Sequence, residues 1–248
     1  MKRTIILFCI ALTTVEAVSI GNPAEPALLE EGFWISDRRI SSMRLGALDD
    51  LLFSKRMKPA PESSQMGISH TELNWKLLTA DVGWNIRERF DLHLLVGSLF
   101  KLNFRWKQQE RDFEMTARDG IFWAGSGSIS ILEVKNTTLG FSAQGGGIQW
   151  IHGTLSQNST NQSTSSRLLF WQIATGLSQN IEPLHPYIGC VVNHLFLHIF
   201  DPSLRFQQLL GVGIYEGCTL SFGSRIFLNI EARQLFESGL SLAGELRF

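Results

Sequence analysis

Few side chains in this sequence are spaced for chemistry. His194 and His198 stand four apart. On a helix that spacing makes a metal pair. On a strand it separates the rings by roughly 13 Å, at ~3.3 Å per residue. Glu231 and Glu245 suggest paired carboxylates, but Arg233 and Arg247 share their faces. A charge network is the better reading than an acid–base pair, because nothing marks a desolvated cleft that would split their pKa values. Gly145-Gly146-Gly147 is followed by no helix pattern, so it reads as a bulge or kink rather than a phosphate cradle. There is no G-x-S-x-G, no P-loop and no H-E-x-x-H. The expectation is a protein without catalytic residues, metal or cofactor.

The elements that carry these residues alternate. In the last ten residues Leu240, Leu242, Gly244, Leu246 and Phe248 form one set, and Ser241, Ala243, Glu245 and Arg247 the other. Side chains on a strand repeat every two residues, so one face is apolar and the other polar. Asp91–Trp106 repeats the pattern. Leu92, Leu94, Val96, Phe100, Leu102, Phe104 and Trp106 face one way, and His93, Gly97, Lys101, Asn103 and Arg105 the other. In Arg225–Leu235, Ile226, Leu228, Ile230 and Ala232 oppose Phe227, Asn229, Glu231 and Arg233.

The N-terminus reads as an export signal: Lys2 and Arg3, an apolar run Ile5–Leu12, and a small-residue cleavage site at Val15-Glu16-Ala17. Cys9 lies inside the apolar run, which argues against a lipoprotein. No later segment approaches ~18 uninterrupted apolar residues. Apolar faces that meet lipid would account for the slightly positive mean hydropathy. With 22 basic against 23 acidic residues, the charge balance argues against a nucleic-acid partner. Together these features predict an all-β protein: a closed, up-and-down antiparallel transmembrane β-barrel of about ten strands, with a range of eight to twelve. The expected layout is a signal peptide at 1–17, a Pro- and acid-rich periplasmic segment at 18–40 and the barrel at 41–248.

The expected strands are Ser41–Phe53, Leu73–Ile86, Asp91–Trp106, Gly120–Leu132, Thr137–His152, Arg167–Ser178, Pro186–Phe200, Leu209–Leu220, Arg225–Leu235 and Gly239–Phe248. The apolar phase of the second switches near Leu77-Leu78, as a bulge would cause. The intervening stretches alternate long and short, which puts both termini in the periplasm. Ser54–Glu72, Gln108–Asp119, Gly153–Ser166 and Asp201–Gln208 are the expected long surface loops. Trp75, Trp84, Trp106, Trp123, Trp150 and Trp171 fall in strands, several near strand ends, as interfacial girdles require. Ordinary core aromatics are the alternative. Polar-phase residues would line the pore: Arg44, His93, Lys101, Asn103, Arg105, Glu231, Arg233, Glu245 and Arg247. Cys190 and Cys218 are a candidate disulfide if Phe200 and Leu209 are the last residues paired across their loop. Two free, lipid-facing thiols are the alternative.

Several short motifs resemble, in order, the chlamydial major outer membrane proteins. Gly21-Asn22-Pro23-Ala24-Glu25-Pro26 is similar to that family's mature start, and Ser42-Met43-Arg44-Leu45-Gly46 to its first strand. Asn85-Ile86-Arg87-Glu88-Arg89-Phe90-Asp91 resembles its first tight turn. Trp171-Gln172-Ile173, Pro186-Tyr187-Ile188-Gly189, Glu231-Ala232-Arg233 and Arg247-Phe248 have late counterparts. The resemblance implies a porin, an antigenic surface protein of the outer membrane of an obligate intracellular, Gram-negative bacterium. This chain is shorter and lacks the family's cysteine-rich segment.

The expected function is passive diffusion of small solutes or ions, with mild anion preference from the lumenal cations. The alternative is a plugged barrel acting as a structural or adhesive surface antigen. An enzyme, and a soluble barrel with an apolar interior, are less favoured. Expected partners are outer-membrane lipid, the barrel-assembly machinery and, as a further option, a second copy of the chain. Phe248 is the expected assembly signal, so deleting it should lower outer-membrane insertion and leave secretion intact. Fractionation of cells expressing the truncated chain measures both, and undiminished membrane yield would refute the assignment.

Overall fold

The computed structural model describes residues 19–22, 42–61, 63, 67–86, 89–157, 160–208, 211–223, 225–235 and 237–248. The expected signal peptide and nearly all of the expected periplasmic segment lie outside the described residues. The chain forms β1 (Ser42–Lys55), β2 (Lys58–Pro59), β3 (Ile68–Ile86), β4 (Phe90–Gln108), β5 (Arg111–Val134) and β6 (Thr137–Gln157). Then follow β7 (Thr160–Gln179), β8 (Leu184–Ile199), β9 (Leu204–Gln207), β10 (Gly211–Phe222), β11 (Ile226–Gln234) and β12 (Glu237–Arg247). All twelve belong to one sheet; setting aside the short β2 and β9, ten form the wall. Every pairing in that wall is antiparallel.

Closure follows from hydrogen-bonding demand. A sheet in lipid cannot leave an edge of unpaired N–H and C=O groups. β12 therefore pairs with β1 from Arg44↔Arg247 to Lys55↔Glu237, and β8 skips β9 to pair with β10. Phe248 N–H donates to Met43 O at 2.9 Å, so the barrel starts and ends at one rim. The outward face carries a belt of exposed apolar side chains, among them Leu45, Leu94, Val96, Ile173, Ile188, Ile230 and Leu242. The fold is the closed antiparallel outer-membrane barrel that the alternation predicts.

The interior departs from that alternation. Toward the rim away from the termini, the lumen is a packed apolar core. Leu73, Trp75, Leu77, Leu99, Leu102, Phe104, Trp106, Met115, Phe122, Ile148 and Ile151 belong to it. The change of apolar phase in β3 is therefore not a bulge in that strand. Leu73, Trp75 and Leu77 face inward and Leu78 and Ala80 outward, with burial alternating without a break. What changes is the environment: the interior passes from polar to apolar while the exterior passes from lipid to water.

The bulge sits in the neighbouring strand. Lys76 pairs with Lys101 but Leu77 with Leu99, which leaves Phe100 as the extra residue of β4. Register shifts at Ala117–Ile121 in β5 and Ile148–Ile151 in β6 continue the row. An extra residue exchanges the faces beyond it. Leu102, Phe104 and Trp106 thus enter the core, and Lys101 and Arg105 emerge on the exterior. Trp75 and Trp106 are likewise core residues, whereas Trp123, Trp150 and Trp171 are exposed and Trp84 half-buried.

Two expected loops are strand. β4 and β5 run on to a two-residue turn at Gln109-Glu110, with φ of 49° and 65°. β6 and β7 extend through Gln157↔Thr160. The Ser-, Thr- and Gln-rich stretch reads as loop in the sequence because its outer face meets water rather than lipid.

Above the core, β9 pairs with both β8 and β2. Phe206 packs edge-on to Phe104, with ring centroids 4.6 Å apart. Trp106 stacks on Phe113 at 5.3 Å. Truncating Phe104 to Ala should cost about 3–5 kcal/mol, whereas Lys101→Glu should change stability by less than about 0.5 kcal/mol. Urea titrations of the refolded chain in micelles test both. Equal costs would mean that the faces of β4 are assigned the wrong way round.

Candidate functional site: the charged half of the lumen

Toward the rim where the strands begin and end, the lumen is polar. Arg44, His93, Glu231, Arg233, Glu245 and Arg247 all point into it. Lys101, Asn103 and Arg105, expected beside them, do not, because the Phe100 bulge reverses their phase. Arg105 Nη2 lies 2.9 Å from Glu114 Oε1 on the exterior, and Asn103 Nδ2 donates to the same oxygen at 2.6 Å. The expected excess of lumenal cations goes with them.

One cluster joins β1, β3, β4, β11 and β12. Arg44 Nη2 lies 2.8 Å from Asp91 Oδ2, and Asn85 Nδ2 donates to Asp91 Oδ1 at 2.7 Å. Arg44 and Arg247 approach Glu245 Oε2 at 3.9 and 3.5 Å. The Arg247 guanidinium also covers the Phe227 ring at 3.5 Å, a cation–π contact. His93 Nδ1 lies 2.8 Å from Asp81 Oδ2.

The second cluster joins β1, β3, β8, β11 and β12. Arg233 Nη2 donates to Asp50 Oδ1, and Arg233 Nε lies 3.3 Å from Glu231 Oε1. Trp75 Nε1 donates to Asp50 Oδ2 at 3.1 Å. Tyr187 OH donates to Asn229 Oδ1 at 2.9 Å and stands 3.2 Å from Glu231 Oε2. Lys55 pairs with Glu237, whose Oε1 accepts from Asn193 Nδ2. Between the clusters Gln172 donates to Gln144.

Residues 19–22, expected in the periplasm, sit inside the barrel on this second cluster. Ile20 N–H and Gly21 N–H donate to the two oxygens of Glu231 at 3.0 and 2.9 Å. The Ser19 backbone bonds Asp50, and Asn22 Nδ2 donates to Ser178 Oγ at 3.1 Å. Four backbone and side-chain donors thus satisfy acceptors that water would otherwise have to reach.

Asp50, Asp81 and Glu237 join the site without a motif to mark them, and Asp91 ends the turn motif that begins at Asn85; each shares the inward phase of its strand. Lys55 is hidden for a different reason: a register shift between Leu52 and Ser54 turns it inward. The seating of residues 19–22 leaves no sequence signal. Cys190 and Cys218 are both free. Cys190 faces Ile214 and Cys218 faces Pro186, because β9 occupies residues expected to continue the β8–β10 pairing. His194 and His198 lie on the outer face, each beside an aromatic ring, Phe196 and Phe200.

Chemically the site is a set of carboxylates held against guanidinium, ammonium, imidazole and amide groups. No family model matches the chain, and no curated protein matches it. Among solved structures it is similar to the translocator domain of the autotransporter NalP from Neisseria meningitidis. That match has 9% identity and a TM-score of 0.46, and covers 91% of this chain and 92% of that one. The transport unit of the autotransporter AIDA-I from Escherichia coli matches at 10% identity and TM-score 0.43, covering 91% and 95%. The outer membrane protease OmpT from Escherichia coli matches at 8% and 0.40, covering 88% and 97%. Ring closure, the apolar outer belt and a polar-to-apolar filled lumen define the class: this chain is an outer-membrane β-barrel.

Arg233 and Asp50 are each 1% exposed. Removing one partner of such a pair leaves a charge buried alone, so Arg233→Ala should cost about 3–5 kcal/mol. Arg105→Ala, in the exposed pair with Glu114, should cost less than about 1 kcal/mol. Denaturant midpoints in micelles compare them, and equal shifts would argue against a desolvated cluster.

Proposed function

We propose that this protein is a closed outer-membrane barrel serving as a structural or adhesive surface component, not a diffusion porin. The observation that supports this reading is the apolar core across the lumen. Passive diffusion of small solutes needs a continuous aqueous path. Here Leu73, Leu77, Leu99, Phe104, Trp106, Phe122 and Ile148 are each at most 1% exposed, and β2 and β9 close over them. A hydrated ion crossing that layer would lose its water against largely apolar side chains.

The pairing of lumenal cations with carboxylates argues in the same direction, since a selectivity filter needs charge left for the passing ion. Under this reading both termini are periplasmic, and the capped rim with the long β4–β5 and β6–β7 hairpins faces outward. The Thr160–Ser166 edge then offers hydroxyl and amide groups for surface contacts. The likeness to chlamydial major outer membrane proteins favours a surface role, although the diffusion function of that family does not follow with it. The reading is also non-enzymatic: among the described lumenal carboxylates Asp50, Asp91, Glu231, Glu237 and Glu245 each lie against a cation or an amide donor, and Asp81 lies against the His93 ring.

Planar-bilayer recording with the refolded mature chain tests this. The expected outcome is insertion without steady conductance. Stable, ohmic channels in a population whose insertion is verified by heat-modifiable mobility would establish a diffusion pore instead.

A further inference from the structure

We propose that Asp81, His93 and Glu245 form a lumenal binding site for a divalent transition-metal cation, with Zn²⁺ as the best-fitting probe. The inference does not depend on whether the lumen conducts. One ligand atom from each residue lies within 4.8 Å of the others. His93 Nδ1 and Asp81 Oδ2 are 2.8 Å apart. Metal–ligand bonds of about 2.0–2.2 Å bring neighbouring ligand atoms to about 3–4 Å from each other, so small side-chain rotations complete the set. One imidazole and two carboxylates suit a borderline ion better than Mg²⁺ or Ca²⁺, which take oxygen alone.

The backbone provides the niche. Gly46 pairs with Asp81 on one side and Glu245 on the other, and Gly83 pairs with His93. A Cβ at Gly46 would lie 3.2 Å from Glu245 Cγ and 3.5 Å from Asp81 Cβ. A Cβ at Gly83 would lie 3.0 Å from the His93 ring. The two glycines thus leave empty the space into which the three ligands converge. Asp81 Oδ1 is buried and has no hydrogen-bond partner among the described residues. The niche opens on a cavity of about 90 Å³, also lined by Ser126, Ser128 and Asn229, with room for the waters that complete coordination.

Charge points the same way. Arg44 lies against Asp91 and Glu245, Arg247 against Glu245, and Asp81 against His93. Among these described residues two guanidiniums stand beside three carboxylates, and it is Asp81 that pairs with an imidazole instead. A bound cation supplies the missing charge; a proton on His93 is the competing solution. Arg247 competes for Glu245, so its removal should favour the metal.

The experiment is calorimetric titration of ZnCl₂ into the untagged mature chain, refolded in micelles and checked by circular dichroism. The expected result is saturable uptake of one ion per barrel. His93→Gln should weaken it by about tenfold or more. Gly46→Ala, which removes no ligand, should weaken it by filling the niche. Arg247→Gln should tighten it, an effect that a purely structural role for the cluster does not produce. Absence of saturable uptake by the parent chain overturns the proposal in favour of the proton. Equal affinity in the parent and folded His93→Gln overturns it too, by assigning the uptake to other histidines. Weaker binding in Arg247→Gln would also count against it.

Discussion

A strand in a barrel wall has two faces, and each must be matched to what lies beyond it at every height. That requirement organises this molecule. Across the membrane the outside is hydrocarbon and the inside is polar. Toward the far rim the outside is water and the inside is a packed core. The apolar set must therefore cross from one face to the other along the same strand. In β3 the crossing is made by composition, from Trp75 and Leu77 inside to Leu78 outside. In β4, β5 and β6 it is made by adjacent bulges, which keep the sequence alternation running while exchanging its faces.

The two halves of the lumen are stabilised by different physics. The apolar half gains from burial and from ring packing, with Phe206 of β9 bearing on Phe104 and Trp106. Hydrophobic contacts are non-directional, so this half tolerates irregular register. The polar half depends on geometry. Buried carboxylates and guanidiniums are costly unless each oxygen and N–H finds a partner. Arg233 therefore bridges Asp50 and Glu231, and the backbone of residues 19–22 completes the acceptors of Glu231. Residues 19–22 are thus part of the interior.

The lumen is filled from both ends. Ten strands enclose a narrow bore, and here large side chains occupy it instead of lining it. Under the proposed reading the outer belt, the capped rim and the extended hairpins are what meet the surroundings. The metal niche fits the same economy: glycines placed opposite ionisable residues open a small polar space where the wall would otherwise be close-packed.

The barrel itself was legible in the sequence. A period-two pattern of Leu and Ile against Glu and Arg, as in Gly239–Phe248, suits a wall between lipid and a polar lumen, and it follows a stretch that reads as an export signal. The inward placement of Arg44, Glu231, Arg233, Glu245 and Arg247 follows from local phase alone, since no bulge intervenes near them. Tertiary structure decided the rest. Lys101 and Arg105 have the same local pattern as Arg233, yet one extra residue at Phe100 sends them outside. Cys190 and Cys218 are adjacent only if β8 and β10 stay paired to their ends, and β9 takes up the intervening residues. The Ser- and Thr-rich stretch near Thr160 became strand because its neighbours, not its composition, supply the hydrogen bonds. Period-two alternation reports that two faces differ; it does not report which solvent each one meets, and that is set by height in the membrane and by register with the neighbouring strands.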